Sequence, residues 1–200
     1  AVESASGEVR CPMTTHGSNS GRRESLGFTE AVAQYIAPLL IAKGFTCAEQ
    51  TVYSVKFQSP DVALAVFHDP VSYEIDLVYA LQASPSERYD LRNMLDMVLG
   101  PDQQQQVYFQ ASERDRVVAS IKTIADYLRK YGEKVLMGHP TTYQRIGEAA
   151  RRRNEAYTRQ VVQWPIRQAA EDAWQKHDYA KVRDLYEPIE DDLTPVEQKR

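Results

Sequence analysis

The stretch TVYSVKFQSPDVALAVFHDPVSYEIDLVYAL, residues 51–81, constrains the fold more than any other part of the chain. Three apolar runs of period two are separated by short segments containing Pro and Asp, the pattern of adjacent strands joined by tight turns. Tyr53, Val55 and Phe57 line one face of the first run. In the second, Val62, Leu64 and Val66 alternate with Ala63, Ala65 and Phe67, which predicts a central strand covered on both faces. The third alternates Tyr73, Ile75, Leu77 and Tyr79 with Ser72, Glu74, Asp76 and Val78, so one face is buried and the other is acidic and wet.

Helical patterns surround this ribbon. Thr29 is expected to cap a first helix running to Lys43, with Val32, Ile36, Leu39 and Leu40 inward, a kink at Pro38 and a left-handed stop at Gly44. Ser84-Pro85-Ser86-Glu87 reads as a capping box that opens a helix burying Leu91, Met94, Leu95 and Val98 and ending at Gly100-Pro101. After the run Gln103–Gln106, Val107-Tyr108-Phe109 reads as a short fourth strand or a loop anchor. A further helix from near Ser112 carries Val117, Ile121, Ile124, Leu128 and Tyr131 at three-and-four spacing. A long helical pattern follows Pro140, with a kink or break at Pro165, and Asp178 caps a last helix with Tyr179, Val182, Leu185, Tyr186 and Ile189 inward.

The expected class is therefore α+β: an N-terminal helix, a three- or four-stranded antiparallel meander packed by helices, then a long helical extension ending in a helix hairpin. Residues 1–26 are poor in large apolar groups and are expected to form a disordered leader, with Met13 as the natural start; the α+β domain covers 27–137 and the extension 138–200.

With 42% hydrophobic and 26% charged residues the composition is that of a soluble globular protein, and no apolar run approaches the ~20 residues of a membrane helix. A net charge of -4 disfavours nucleic acid and anionic lipid and favours a protein partner with a basic surface. Cys11 and Cys47 have no ligand spacing and are expected as free thiols, which places the chain in the cytoplasm.

No catalytic, metal or cofactor motif is present in the sequence, and no cofactor is implied. Glu74 and Asp76, two apart on one strand, share a face and have the geometry for a cation or for acid–base work with His68; solvated or partner-binding carboxylates are the more ordinary case. Asp61, Tyr73, Glu74, Asp76 and Tyr79 form the candidate partner-binding set, the tyrosines serving as anchors where exposed. Arg145, Arg152 and Arg159 recur every seven residues on one helix face suited to phosphate or an acidic partner, although Glu148 and Glu155 are spaced to neutralise it. His16, His68, His139 and His177 are isolated, and His68 reads as a surface group at a turn.

The segment AWQKHDYAKVRDLYEP resembles one tetratricopeptide unit, in which an Asp-Tyr pair opens the second helix and a proline follows; no second repeat is visible. The order GF, VYSVKF, VALAVF, SYEIDL resembles small bacterial α+β domains of unknown function and is similar in layout to immunity proteins. That resemblance implies a non-enzymatic protein-binding module that neutralises a partner by occlusion. Two other readings stand beside it. One is a helical scaffold or self-association protein acting through residues 141–200, which exposure of Trp164, Trp174 or Tyr186 would favour. The other is a hydrolase or metal-dependent enzyme, which requires Glu74, Asp76 and His68 to converge.

Overall fold

The computed structural model describes residues 24–100 and 108–199. The architecture is α+β, with an antiparallel sheet of six strands and seven α-helices among the described residues. Helices α1 (Phe28–Tyr35) and α2 (Ala37–Ile41) replace the single first helix read from the sequence. Pro38 explains the interruption: it lacks an N–H, and its ring collides with the preceding turn of a continuing helix. The chain breaks at Ile36 and Pro38 falls in the first turn of α2, where the missing donor costs nothing. Gly44 supplies the expected left-handed stop at φ 85°. Gly27, not Thr29, occupies the first N-cap position. Leu26, read as part of the leader, is buried in the core, while the leader up to residue 23, Met13 and Cys11 included, lies outside the described residues.

Strands β1 (Thr46–Gln50), β2 (Ser54–Gln58), β3 (Val62–His68) and β4 (Glu74–Leu81) pair in sequence order. Ser59 and Asp69 build the two expected turns: Ser59 Oγ accepts from Val62 N at 3.1 Å, and Asp69 Oδ1 accepts from Val71 N and Ser72 N at 2.8 and 2.6 Å. The outer side of β4 is shared by two short strands. β5 (Tyr89–Asp90) pairs with Val78 and Tyr79, and β6 (Phe109–Gln110) with Glu74 and Ile75. β6 is the fourth strand foreseen at Val107–Phe109, although Val107 itself lies outside the described residues.

Val55, Phe57, Val62, Leu64, Val66, Ile75, Leu77 and Tyr79 form the buried sheet face, in one core with residues of the helices. The second face of β3 departs from expectation. Ala63, Ala65 and Phe67 are half-buried and take no part in that core, so β3 is central in the sheet but not covered on both sides.

Helix α3 (Leu91–Leu99) begins later than the Ser84–Glu87 pattern suggests. Its true cap is reciprocal: Asp90 Oδ1 accepts from Asn93 N at 2.7 Å and Asn93 Oδ1 accepts from Asp90 N at 2.9 Å. Helix α4 (Arg114–Tyr131) buries Val117, Ile121, Ile124 and Leu128, and α5 (Glu133–Leu136) follows. Helix α6 (Pro140–Gln175) continues through Pro165 without the anticipated break; Val161, whose carbonyl loses its helical donor there, is exposed. Helix α7 (Tyr179–Tyr186) is capped by Asp178, whose Oδ1 accepts from Lys181 N at 3.2 Å, and completes the helix hairpin.

The chain divides into two compact units, Ala1–Ala149 and Ala150–Arg200. Tyr143 and Ile146, in the first turns of α6, belong to the core of the first. The second has its own small core of Ala170, Ala173, Val182, Tyr186 and Ile189. Tyr179, expected to face inward there, is 52% exposed.

Candidate functional site

The acidic set read from the sequence does not assemble. In the β3–β4 hairpin, Val62 pairs with Leu81 and His68 with Ile75, so Asp61 lies at one end of the ribbon and Glu74 at the other. Asp61 instead abuts Gly138, where an added Cβ would lie 2.7 Å from Asp61 Cβ. Cross-strand partners share a face, so His68 lies with Ile75 on the buried side while Asp76 lies with Phe67 on the other. The three groups required by the enzyme reading do not converge. His68, expected at the surface, is 1% exposed; its Nε2 donates to the Ala111 carbonyl at 2.9 Å, and its ring meets Phe28 and Tyr73 at 5.6 and 6.0 Å.

Asp76 is not the wet carboxylate anticipated. Burial pushes it up to about 7; the neighbouring Asp90 and Glu74 charges add to the rise, while hydrogen bonds from the Leu77 and Leu91 amides oppose it. Leu77 N donates to Asp76 Oδ1 at 2.7 Å. Both amides border the gap on the outer side of β4 between β5 and β6, where the strand ladder is interrupted. Asp76 therefore satisfies backbone donors that would otherwise be orphaned. Such a role explains its burial without chemistry.

Tyr79 is 2% exposed and cannot act as a surface anchor; Tyr73 is half-buried. Tyr79, Tyr89 and Tyr143 form a mutual aromatic cluster with centroids 5.9–6.2 Å apart, joining β4, β5 and the start of α6. The Tyr143 hydroxyl donates to the Val135 carbonyl at 3.2 Å, but the buried Tyr79 hydroxyl has no partner among the described residues. Burial drives both phenols well above their usual range. Gly147 makes room for this cluster, since a Cβ there would lie 3.0 Å from the Tyr89 hydroxyl.

The three arginines also part company. Arg145 lines a cavity of the first unit, Arg152 is exposed, and Arg159 pairs with Asp192 at 3.2 Å rather than with Glu155. Within the second unit, α6 is held to the C-terminal segment by a polar network. Gln163 Nε2 donates to Asp192 Oδ2 at 2.6 Å, and Arg167 donates to the Asp192 carbonyl at 2.7 Å and pairs with Glu197. Partial burial alone would raise the Glu197 carboxyl, but Arg167 and Thr194 hold it below its ordinary range.

Away from that network, α6 presents an apolar stripe. Tyr157 is 67%, Val161 51% and Trp164 60% exposed, at positions i, i+4 and i+7. That spacing puts all three on one helix face. Trp174 is half-buried against the small core and Tyr186 is buried, so of Trp164, Trp174 and Tyr186 it is Trp164 that is exposed. The sequence contains this stripe, but its spacing is equally that of a core-facing helix, and only the fold shows it uncovered.

Cys47 differs from expectation too: it is disulfide-bonded, while Cys11 lies outside the described residues. The reduced-thiol argument for a cytoplasmic location falls with it. Among the described residues no helix is long and apolar enough to cross a membrane, and no group of three or more His, Cys, Asp or Glu side chains is placed to hold a metal. No protein-family model, curated protein or solved structure matches this chain.

Proposed function

We propose that this protein is a self-associating protein-interaction module whose working surface is the exposed face of α6 in the second unit. One observation carries the reading: Tyr157, Val161 and Trp164 form an uncovered apolar stripe whose aromatic members are of the types that dominate binding hot spots.

The occupant is the same helix of a second copy, running antiparallel. A two-fold axis near Val161 places Tyr157 of one copy beside the second copy's Trp164, filling the stripe with itself. The same register brings Arg153, at the rim of that face, within reach of Glu171 and Asp172 of the second copy at both ends of the contact. A parallel arrangement instead juxtaposes like charges along the arginine run, which opposes association. Charge thus selects the antiparallel orientation and the apolar stripe supplies the affinity.

Sedimentation velocity on the full chain tests this. The wild type sediments as a dimer, and Trp164→Ala, which truncates the side chain in both copies, weakens the dimer by about thirtyfold or more, a loss of ~2 kcal/mol or more in all. A wild type that stays monomeric at high concentration, or a dimer indifferent to Trp164→Ala, contradicts the proposal.

A further inference from the structure

We infer that a cavity on the first unit, distinct from the α6 stripe, binds a small organic phosphate. The cavity has a volume of about 590 Å³, within the range of small-ligand sites, and all of its lining lies in residues of that one unit. Lys130, Lys134 and Arg145 bring three cationic side chains to it from α4, α5 and α6. Neither Lys134 nor Arg145 enters an ion pair with the described residues, and Lys130 lies over the Tyr131 ring with Nζ 4.9 Å from the centroid.

The one acid among the described lining residues does not cancel this charge. Glu133 is engaged from outside by Lys43, whose Nζ lies 3.2 Å from its carboxylate. The cavity therefore presents an excess of positive charge on a protein whose net charge is -4, so the local field opposes the global one. Thr141 and Thr142 add hydroxyls that can donate to phosphate oxygens. A fork of guanidinium donors beside two ammonium groups suits a tetrahedral dianion better than a single carboxylate.

The remaining wall gives the ligand its organic part. Met97, Val98 and Tyr131 supply apolar and aromatic surface facing the same space. A bare inorganic anion leaves that surface wet, whereas a phosphomonoester with a compact apolar or aromatic group covers it.

Isothermal titration of the 200-residue chain with phenyl phosphate, inorganic phosphate and sodium chloride at matched ionic strength tests the inference. Phenyl phosphate should bind saturably, about tenfold or more tighter than inorganic phosphate, and Lys134→Gln with Arg145→Gln should weaken it about tenfold or more again. Both substituted side chains are exposed, and an unchanged far-UV circular dichroism spectrum confirms that the variant folds. Absence of saturable binding, equal affinity for the two phosphates, or binding undiminished in the folded double variant overturns it. The dimerisation of α6 is read separately by sedimentation and does not enter this outcome.

Discussion

The two units are stabilised differently. The first sets one face of a sheet against helices and buries large groups such as Phe57, Ile75, Leu77, Met94 and Ile121 in a continuous core. The second closes a helix hairpin over five buried residues, two of them alanines, and ties its last segment down with Arg159, Gln163 and Arg167 acting on Asp192 and Glu197. Burying one large apolar side chain contributes about 1.5–3 kcal/mol, whereas a partly exposed ion pair contributes little. The comparison teaches that robustness and availability are divided along the chain. The first unit exposes large apolar residues only at scattered places such as Val71, Tyr108 and Met137, and the second lines up Tyr157, Val161 and Trp164 outside on one helix face.

The largest effect that would break this contrast is a cavity in the first core. Ile121→Ala should cost about 2–5 kcal/mol, because Ile121 is fully buried and the rigid surroundings cannot collapse into the space. Val182→Ala in the second core should cost less, and should lower protection of the second unit while leaving the sheet unit intact. Urea denaturation gives the totals and amide hydrogen exchange assigns them to units. Equal costs, or loss of both units together, would erase the distinction.

Next in size is Gly138→Ala. Gly138 has φ 66°, and an added Cβ would lie 2.7 Å from Asp61 Cβ and 3.3 Å from Val62 Cγ2. Backbone strain and the clash with the β2–β3 turn together should cost about 1–3 kcal/mol, read as a fall in Tm.

Asp76 sharpens the comparison through pH. Its folded value of about 7 exceeds the ordinary 3.8, so between those values the folded state holds a proton that the unfolded chain has released. This contribution is fully present below pH ~4 and is lost as pH rises through 7, at up to ~1.4 kcal/mol per pH unit. Asp76→Asn keeps an acceptor for the Leu77 and Leu91 amides and removes the titration. Melting curves at pH 5 and pH 8 should therefore differ less in the variant than in the wild type, after allowance for other groups by direct comparison of the two proteins.

The smallest stability change belongs to Arg167→Ala. Its ion pair with Glu197 is partly exposed, so the expected cost is about 1 kcal/mol or less, with faster hydrogen exchange confined to residues 187–199. An equal rise in exchange in the sheet would contradict the separation of the two units.

How much of this was legible in the sequence depends on whether a local pattern determines the outcome. Period-two alternation located β2, β3 and β4, because one buried face forces the register; three-and-four spacing located the buried face of α4. β1 was missed because Thr46-Cys47-Ala48-Glu49-Gln50 lacks alternation and pairs on one side only, with a register shift between Cys47 and Glu49. The start of α3 was misplaced because Ser84–Glu87 and Asp90–Asn93 both offer capping chemistry, and the short β5 pairing decides between them. The sites were less legible than the fold. Carboxylates on one strand face read as a wet surface, but Asp76 falls at the gap between the short strands β5 and β6 and is half-buried there, and no single-strand pattern reveals that. Pro165 failed as a breaker because a proline with water available to the freed carbonyl can be accommodated within a long helix.

The most direct measurement of the self-association is a cysteine cross-link at the proposed two-fold axis. In the antiparallel pair, Val161 meets its own counterpart, so Val161→Cys should form a disulfide-linked dimer on mild oxidation, seen on a non-reducing gel. Tyr157→Cys, held beside the second copy's Trp164, should not link to itself. Monomeric Val161→Cys under the same oxidation, or equal cross-linking of the two variants, would contradict the antiparallel contact.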